Sequence, residues 1–177
     1  TGDVTGSGLV GIYGLATGNL VIDSSAGVVT GGQAGIAALG AGAGAITITT
    51  ADVTGTGTIG IFTNNSALGT DITVNTLAGS VLGGSNGIAA FSLGTGALSI
   101  TTADVTGTTG TGVYGYQGAN GTDLSIDTSA GIVSGGSNGV YARNYGSGTA
   151  TITTADVTGA NGYGVFGYNS ASGAGLT

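Results

Sequence analysis

The chain has 177 residues, 41 of them glycine, and contains no Pro, Cys, Met, Trp or His. Charged residues make up 5% and hydrophobic ones 40%, so it has neither the ~25% charge of an ordinary soluble domain nor the low hydrophobicity of a disordered one. Its net charge is −7, from eight Asp against the single base Arg143, which leaves nothing to neutralise nucleic-acid phosphates or to hold an anionic membrane surface.

No apolar run approaches the ~20 residues of a membrane span, so no direct membrane insertion of this segment is expected. No basic-then-apolar leader and no Met opens the chain, which reads as a mature or excised piece of something longer. The lack of Cys argues against a disulfide scaffold and thiolate metal sites.

Apolar anchors recur in threes along the chain. Val4, Ile12 and the pair Leu20/Ile22 come first, then Val29, Ile36 and Ile46/Ile48, then Val53, Ile61 and Ile72/Val74. Val81, Ile88 and Leu98/Ile100 follow, then Val105, Val113 and Leu124/Ile126, then Val133, Val140 and Ala150/Ile152, and lastly Val157, Val165 and Leu176. The third anchor steps by 26 residues throughout. Two spacings alternate: Ile48, Val53, Ile61 and Val74 are 5, 8 and 13 apart, whereas Val74, Val81, Ile88 and Ile100 are 7, 7 and 12 apart. Two 26-residue units therefore make a 52-residue super-repeat, visible as GGSNGIAAF (from Gly83) returning as GGSNGVYAR (from Gly135). The first unit departs, with Ile12 only 10 residues before Ile22.

Each anchor sits in a short alternating segment such as Ala45-Ile46-Thr47-Ile48-Thr49, which reads as a half-buried strand. Glycine density and β-branched residues disfavour helix. Fixed-period repetition of three short strands predicts an all-β fold, a right-handed parallel β-helix (solenoid) spanning 1–177 as a single domain. It has about seven 26-residue coils of two alternating types and a length of ~34 Å at the usual strand spacing. Anchors stack between coils into apolar columns. Asn86-Gly87, Asn120-Gly121, Asn138-Gly139 and Asn161-Gly162 are expected to turn the chain with positive φ at glycine.

The repeats GIYG, GGSNGIAAF, GGSNGVYARN, GTATITTADVTG and GTDLSIDTSAG resemble those in passenger regions of bacterial autotransporters. Those are large β-helical surface proteins exported by a C-terminal outer-membrane barrel. The resemblance covers essentially the whole chain. It implies an extracellular or cell-surface location and a stalk, scaffold or adhesin role.

Candidate chemistry is sparse. Parallel β-helices include polysaccharide lyases and galacturonases, but here general acid–base work could fall only to Asp or Tyr. Asp3, Asp52, Asp104 and Asp156 recur two coils apart, ~9.6 Å, too far for a carboxylate dyad, and Asp23 and Asp127 are further apart still, with Asn75 between them. These Asp read as turn caps on their own backbone, with divalent-cation binding as the alternative. The glycine-rich strings lack the GK[ST] of a phosphate loop. No enzyme activity, catalytic residue, metal or cofactor is expected.

The outward positions are more informative. If Ile88 and Ala90 point inward, Ala89 and Phe91 point outward. One outward column is then Tyr13, Ala37, Phe62, Ala89, Tyr114, Tyr141 and Phe166; the next is Leu15, Leu39, Asn64, Phe91, Tyr116, Arg143 and Tyr168. Ring stacking between coils accounts for such a strip, and so does an interaction surface. The candidate surface is Tyr13, Phe62, Phe91, Tyr114, Tyr116, Tyr141, Arg143, Phe166 and Tyr168. A third outward face, with Thr47, Thr49, Thr151 and Thr153 in TxT form, resembles ice-binding solenoids, but Asp23, Asn75 and Asp127 interrupt its lattice.

Leu176 matches Leu124, and no polar capping segment is seen at either end. The chain therefore reads as a slice of a longer array or as a unit that self-associates end to end or laterally. The expected function is structural or adhesive, a passenger-type stalk or filament segment with a surface glycan or other cell-surface ligand as possible partner. A carbohydrate-binding or carbohydrate-degrading β-helix and an ice-binding solenoid are the alternatives.

Overall fold

The computed structural model describes residues 2–170 and 172–177. The described residues form strands and turns without helix, in parallel sheets wound as a β-solenoid of about seven turns with 26-residue spacing. Each coil contributes a three-residue Val strand, a longer strand around the Gly-Ile or Gly-Val anchor, and a Leu/Ile strand. The three series stack as the sequence periods require. Val53 pairs with Val81, Ile61 with Ile88, and Val74 with Ile100. The middle series forms a seven-stranded sheet from Val10–Ala16 to Val165–Asn169. The other two series join into one sheet because strands Leu124–Gly135 and Thr149–Gly159 each run through the corner between them.

The core is three parallel columns of branched aliphatics. Ile36, Ile61, Ile88, Val113 and Val140 are fully buried from the middle sheet. Ile46, Ile48, Ile72, Val74, Leu98, Ile100, Leu124 and Ile126 face them, and Val29, Val53, Val81, Val105 and Val133 close the triangle. Full burial contributes roughly 1.5–3 kcal/mol for each such side chain, and no single coil could achieve it alone. Beside the anchors the interior narrows to Gly14, Ala38, Thr63, Ala90, Gly115, Ala142 and Gly167, one per coil and in register.

A second interior column is polar, and the hydrophobic pattern did not announce it. Asn65, Ser92, Gln117, Asn144 and Asn169 follow one another in register at the end of the middle strands. Asn65 Oδ1 accepts the amides of Leu93 and Gly94 from the next coil, and its Nδ2 donates to the Thr70 carbonyl. Asn144 Oδ1 accepts the Gly146 amide while its Nδ2 donates to the Thr122 and Gly148 carbonyls. These side chains pair amides of a tight bend, such as those of Gly94 and Gly146, that would otherwise be buried without a partner.

The glycines correct one expectation. Among the described residues only Gly175 has positive φ, so Gly87, Gly121, Gly139 and Gly162 do not serve the turns through the left-handed region. Close approach is the reason instead. A Cβ on Gly87 would lie 2.3 Å from Val105 Cγ1 and 2.7 Å from the Gly112 carbonyl oxygen. Gly35, Gly60, Gly112 and Gly139 meet the equivalent obstruction, so this column admits no side chain.

The alternation of coil types also has a physical cause. Thr128 pairs with Thr154 and Ile132 with Asp156, with a register shift between them where the longer turn bulges out. In that longer turn Asp127 Oδ1 accepts the Ser129 amide and hydroxyl, and Asp23 does the same with Ser25. Asn75 accepts the Leu77 amide at the matching place. The amide just before the next Val then points to the shorter turn of the preceding coil. Asp3 accepts it from Val28, Asp52 from Ser80 and Asp104 from Ile132. The expectation that these Asp cap their own turns therefore holds for Asp23 and Asp127, whereas Asp3, Asp52 and Asp104 tie one coil to the next.

Candidate functional site

The outer face of the seven-stranded sheet carries the candidate strip. Its register is unbroken: Tyr13, Ala37, Phe62, Ala89, Tyr114, Tyr141 and Phe166 form one ladder. Leu15, Leu39, Asn64, Phe91, Tyr116, Arg143 and Tyr168 form the second. Inward Ile, Gly or Ala at alternate positions fixes the orientation, because side chains on a strand alternate between faces. None of the candidate rings enters the coil: Tyr114, Tyr141 and Phe166 are half-buried, while Tyr13 and Tyr168 are exposed.

The two alanines of the first ladder differ from the simple outward expectation. Ala89 is only 1% exposed and Ala37 is also buried. Ala89 stands between Phe62 and Tyr114 in its ladder. The Phe91 ring leans over it, with centroids 5.9 Å from Phe62 and 5.2 Å from Tyr114. The small side chain leaves room for its neighbour's ring.

From Phe91 the rings continue along two branches. One runs through Tyr114, Tyr141 and Phe166 at 5.5 and 4.5 Å to Tyr163 at 5.2 Å. The other runs through Tyr116, Tyr145 and Tyr168 at 6.1, 5.5 and 5.2 Å. Most pairs are tilted or edge-to-face, the geometry ring quadrupoles favour; Tyr141 and Phe166 stack with planes 13° apart. Nine of the ten aromatic residues thus touch in one network, Tyr13 standing apart. Burial holds the Tyr114 phenol above its ordinary value, so the hydroxyl is a neutral donor and acceptor at physiological pH.

Tyr145 and Tyr163 belong to the network but not to the predicted strip. Both lie just outside the alternating strands: Tyr145 follows Val140–Asn144, and Tyr163 precedes Val165–Asn169. The inter-coil bond from the Tyr145 amide to the Gln117 carbonyl sets it on the same face.

Arg143 lies across this surface. Its guanidinium carbon is 5.0 Å from the Tyr141 ring centre and 5.8 Å from that of Phe166, and its Nη2 donates to the Tyr141 hydroxyl. The strands of this sheet hold no Asp. All eight carboxylates lie on the other strands and on the turns. Beyond the aromatic half the strip turns aliphatic: an open cleft of about 300 Å³ is lined by Leu15, Leu39, Asn64 and Leu93.

The Thr-rich outer face is also in register, Thr47 beside Thr73 and Thr49 beside Asn75. Among the described residues no three His, Cys, Asp or Glu are grouped to hold a metal ion. Asp71 and Asp123, like the turn Asp above, accept amides from the next coil, those of Ala97 and Thr149. Compared with family models, curated proteins and solved structures, the chain matches none.

Proposed function

We propose that this chain is a structural and adhesive segment of an extracellular bacterial surface protein, a passenger-type stalk or filament segment that displays the aromatic strip to a cell-surface ligand. The observation that carries this reading is the unbroken register of the strip. The fold constrains the inward members of the middle strands, here Ile or Val, then Gly, Ala or Thr, with Asn, Ser or Gln at most strand ends. The outward members could have been Thr, as they are on the Leu/Ile face. Instead they gather eight of the ten rings and the only basic side chain on one side, where Tyr145 and Tyr163 join them. A contiguous apolar surface of this kind marks contact with a partner. The coil ladder supports the structural half, since each coil is tied to the next by backbone pairing, by Asp and Asn side chains and by the aliphatic columns.

The test is adhesion of the purified chain to cells and to immobilised surface glycans. The reading expects a triple substitution, Tyr116→Ala, Tyr145→Ala and Tyr168→Ala, to abolish retention while the β-type circular dichroism spectrum persists. Retention unchanged by that variant overturns the adhesive reading, and turnover of an acidic polysaccharide overturns the non-enzymatic one. Sedimentation over a concentration series measures the self-association that the same reading includes.

A further inference from the structure

We propose that the aromatic face binds a glycan carrying carboxylates, with Arg143 as the residue that recognises the acid group; this rests on the strip being a contact surface. Three observations converge. First, Arg143 is the only base in a chain of net charge −7, yet among the described residues no carboxylate pairs with it: its hydrogen bond goes to the Tyr141 hydroxyl. A guanidinium has five N–H donors in a fork that matches a carboxylate, and here most are uncommitted. Second, charge is segregated. Every Asp lies off this sheet, so an approaching anion meets the positive group before it meets the negative ones. Third, the guanidinium is held in place by the Tyr141 and Phe166 rings and by its bond to the Tyr141 hydroxyl, which positions the fork at little further entropic cost.

The chemistry around Arg143 favours a sugar chain over a peptide. Backbone groups on this face are paired with the neighbouring coils, so it offers no strand edge to an extended peptide. It offers rings and tyrosine hydroxyls from three successive coils, those of Tyr114, Tyr141 and Tyr168, stepped at ~4.8 Å, a repeat comparable with one sugar residue of an extended polysaccharide. Tyr116 and Tyr168 flank Arg143 in its own ladder, with Tyr145 against both, and Tyr114, Tyr141 and Phe166 form the adjacent ladder. Ring faces accept the apolar face of a sugar, hydroxyls its polar edge, and the guanidinium its carboxylate.

The experiment uses oligogalacturonate of defined length, its fully methyl-esterified form and a poly-glutamate peptide, measured by calorimetry on the intact chain at low and high salt. The expected result is binding of the acid form, at least about 10-fold weaker binding of the ester, and a similar loss in Arg143→Gln. Arg143→Lys, which keeps the charge but not the fork, should be intermediate, and added salt should weaken the acid form only. Equal binding of acid and ester with Arg143→Gln unchanged overturns the carboxylate assignment and leaves the strip reading intact. Poly-glutamate binding as tightly as the oligosaccharide overturns the glycan assignment, as does failure of the acid oligosaccharide to bind. Acid binding that survives the triple tyrosine variant removes both this inference and the strip reading.

Discussion

Asp52 ties its coil to the next through Ser80, Oδ1 accepting the Ser80 amide at 2.8 Å and its hydroxyl at 2.9 Å. The bond joins a short turn to the long turn above it. Asp52→Ala should therefore lower stability by about 1 kcal/mol, a charge-assisted bond discounted for its exposure. Asp52→Asn, which keeps an acceptor, should lower it less. Urea unfolding monitored by circular dichroism measures both. Equal losses for the two variants would show that charge rather than the hydrogen bond matters here.

The same bonds set an acid limit. The backbone and side-chain bonds from Ser80 hold the Asp52 carboxyl below its ordinary value of 3.8. The Ser129 hydroxyl and amide do so for Asp127, and those of Ser25 for Asp23. A carboxyl with a lower pKa folded than unfolded binds protons more readily in the unfolded state, so its stabilisation is complete well above 3.8, starts to fade as pH nears that value and is lost as pH falls through the folded one. Thermal midpoints should be insensitive to these groups near neutrality and begin to fall below about pH 5. In Asp52→Asn with Asp127→Asn the acid limb should be shallower than in the wild type, a difference melting curves between neutrality and strong acid will read. An unchanged acid limb would place the acid sensitivity elsewhere.

How much of this was legible beforehand follows from what each residue needs. Ile88 and Ala90 were readable as core because alternation and a fixed period report burial directly, and the register agrees. Asn144 sits in the same interior, yet a polar residue at a strand end reads as surface; only its three bonds to bent backbone explain it. Asp52 and Asp104 recur at 52 residues, a visible period, but their partners lie 28 residues on in the neighbouring coil. Local turn chemistry therefore supplied the wrong acceptor role. Tyr145 escaped the strip because it sits one place beyond the strand, where alternation no longer says which way a side chain faces. Gly87 was recognised as special for the wrong reason, since close approach leaves the same letter as positive φ.

Gly87 gives a sharp test of that correction. In Gly87→Ala the new methyl meets Val105 Cγ1 and the Gly112 carbonyl well inside contact distance. Neither can withdraw, because one is core and the other is a ladder acceptor for Ile88. The expected loss is about 3 kcal/mol or more, at the upper end of overpacking. Gly8, with nothing within 4 Å of a Cβ, is the control: Gly8→Ala should be neutral or stabilising by up to about 1 kcal/mol. A urea series on both variants decides, and similar midpoints would mean the coil can dilate at Gly87.

The polar interior column predicts opposite outcomes at two levels separated by Gln117. Asn144→Ala orphans the buried Gly146 amide, while the Thr122 and Gly148 carbonyls keep backbone partners, and should cost about 1–3 kcal/mol. Ser92 is equally buried, but its hydroxyl has no partner. Ser92→Ala therefore deletes an unsatisfied polar group and should be neutral or stabilising. Equilibrium unfolding of the pair separates the two, and a destabilised Ser92→Ala would reveal a partner such as ordered water.

Within the strip, packing and display can be told apart by position. Phe91 touches Phe62, Tyr114 and Tyr116 and covers Ala89. Removing it uncovers a small side chain and three ring edges at once. Phe91→Ala should destabilise by about 2–3 kcal/mol, less than for a fully buried Phe because this ring is half-exposed. Tyr13 is 59% exposed and outside the ring network, so Tyr13→Ala should change stability by less than about 0.5 kcal/mol. Tyr168, 40% exposed with one ring neighbour, should fall between them. If thermal melts order the three variants this way, stability depends on the covered rings. The exposed ones are then free to be judged by binding alone, and a large loss at Tyr13 would break that division.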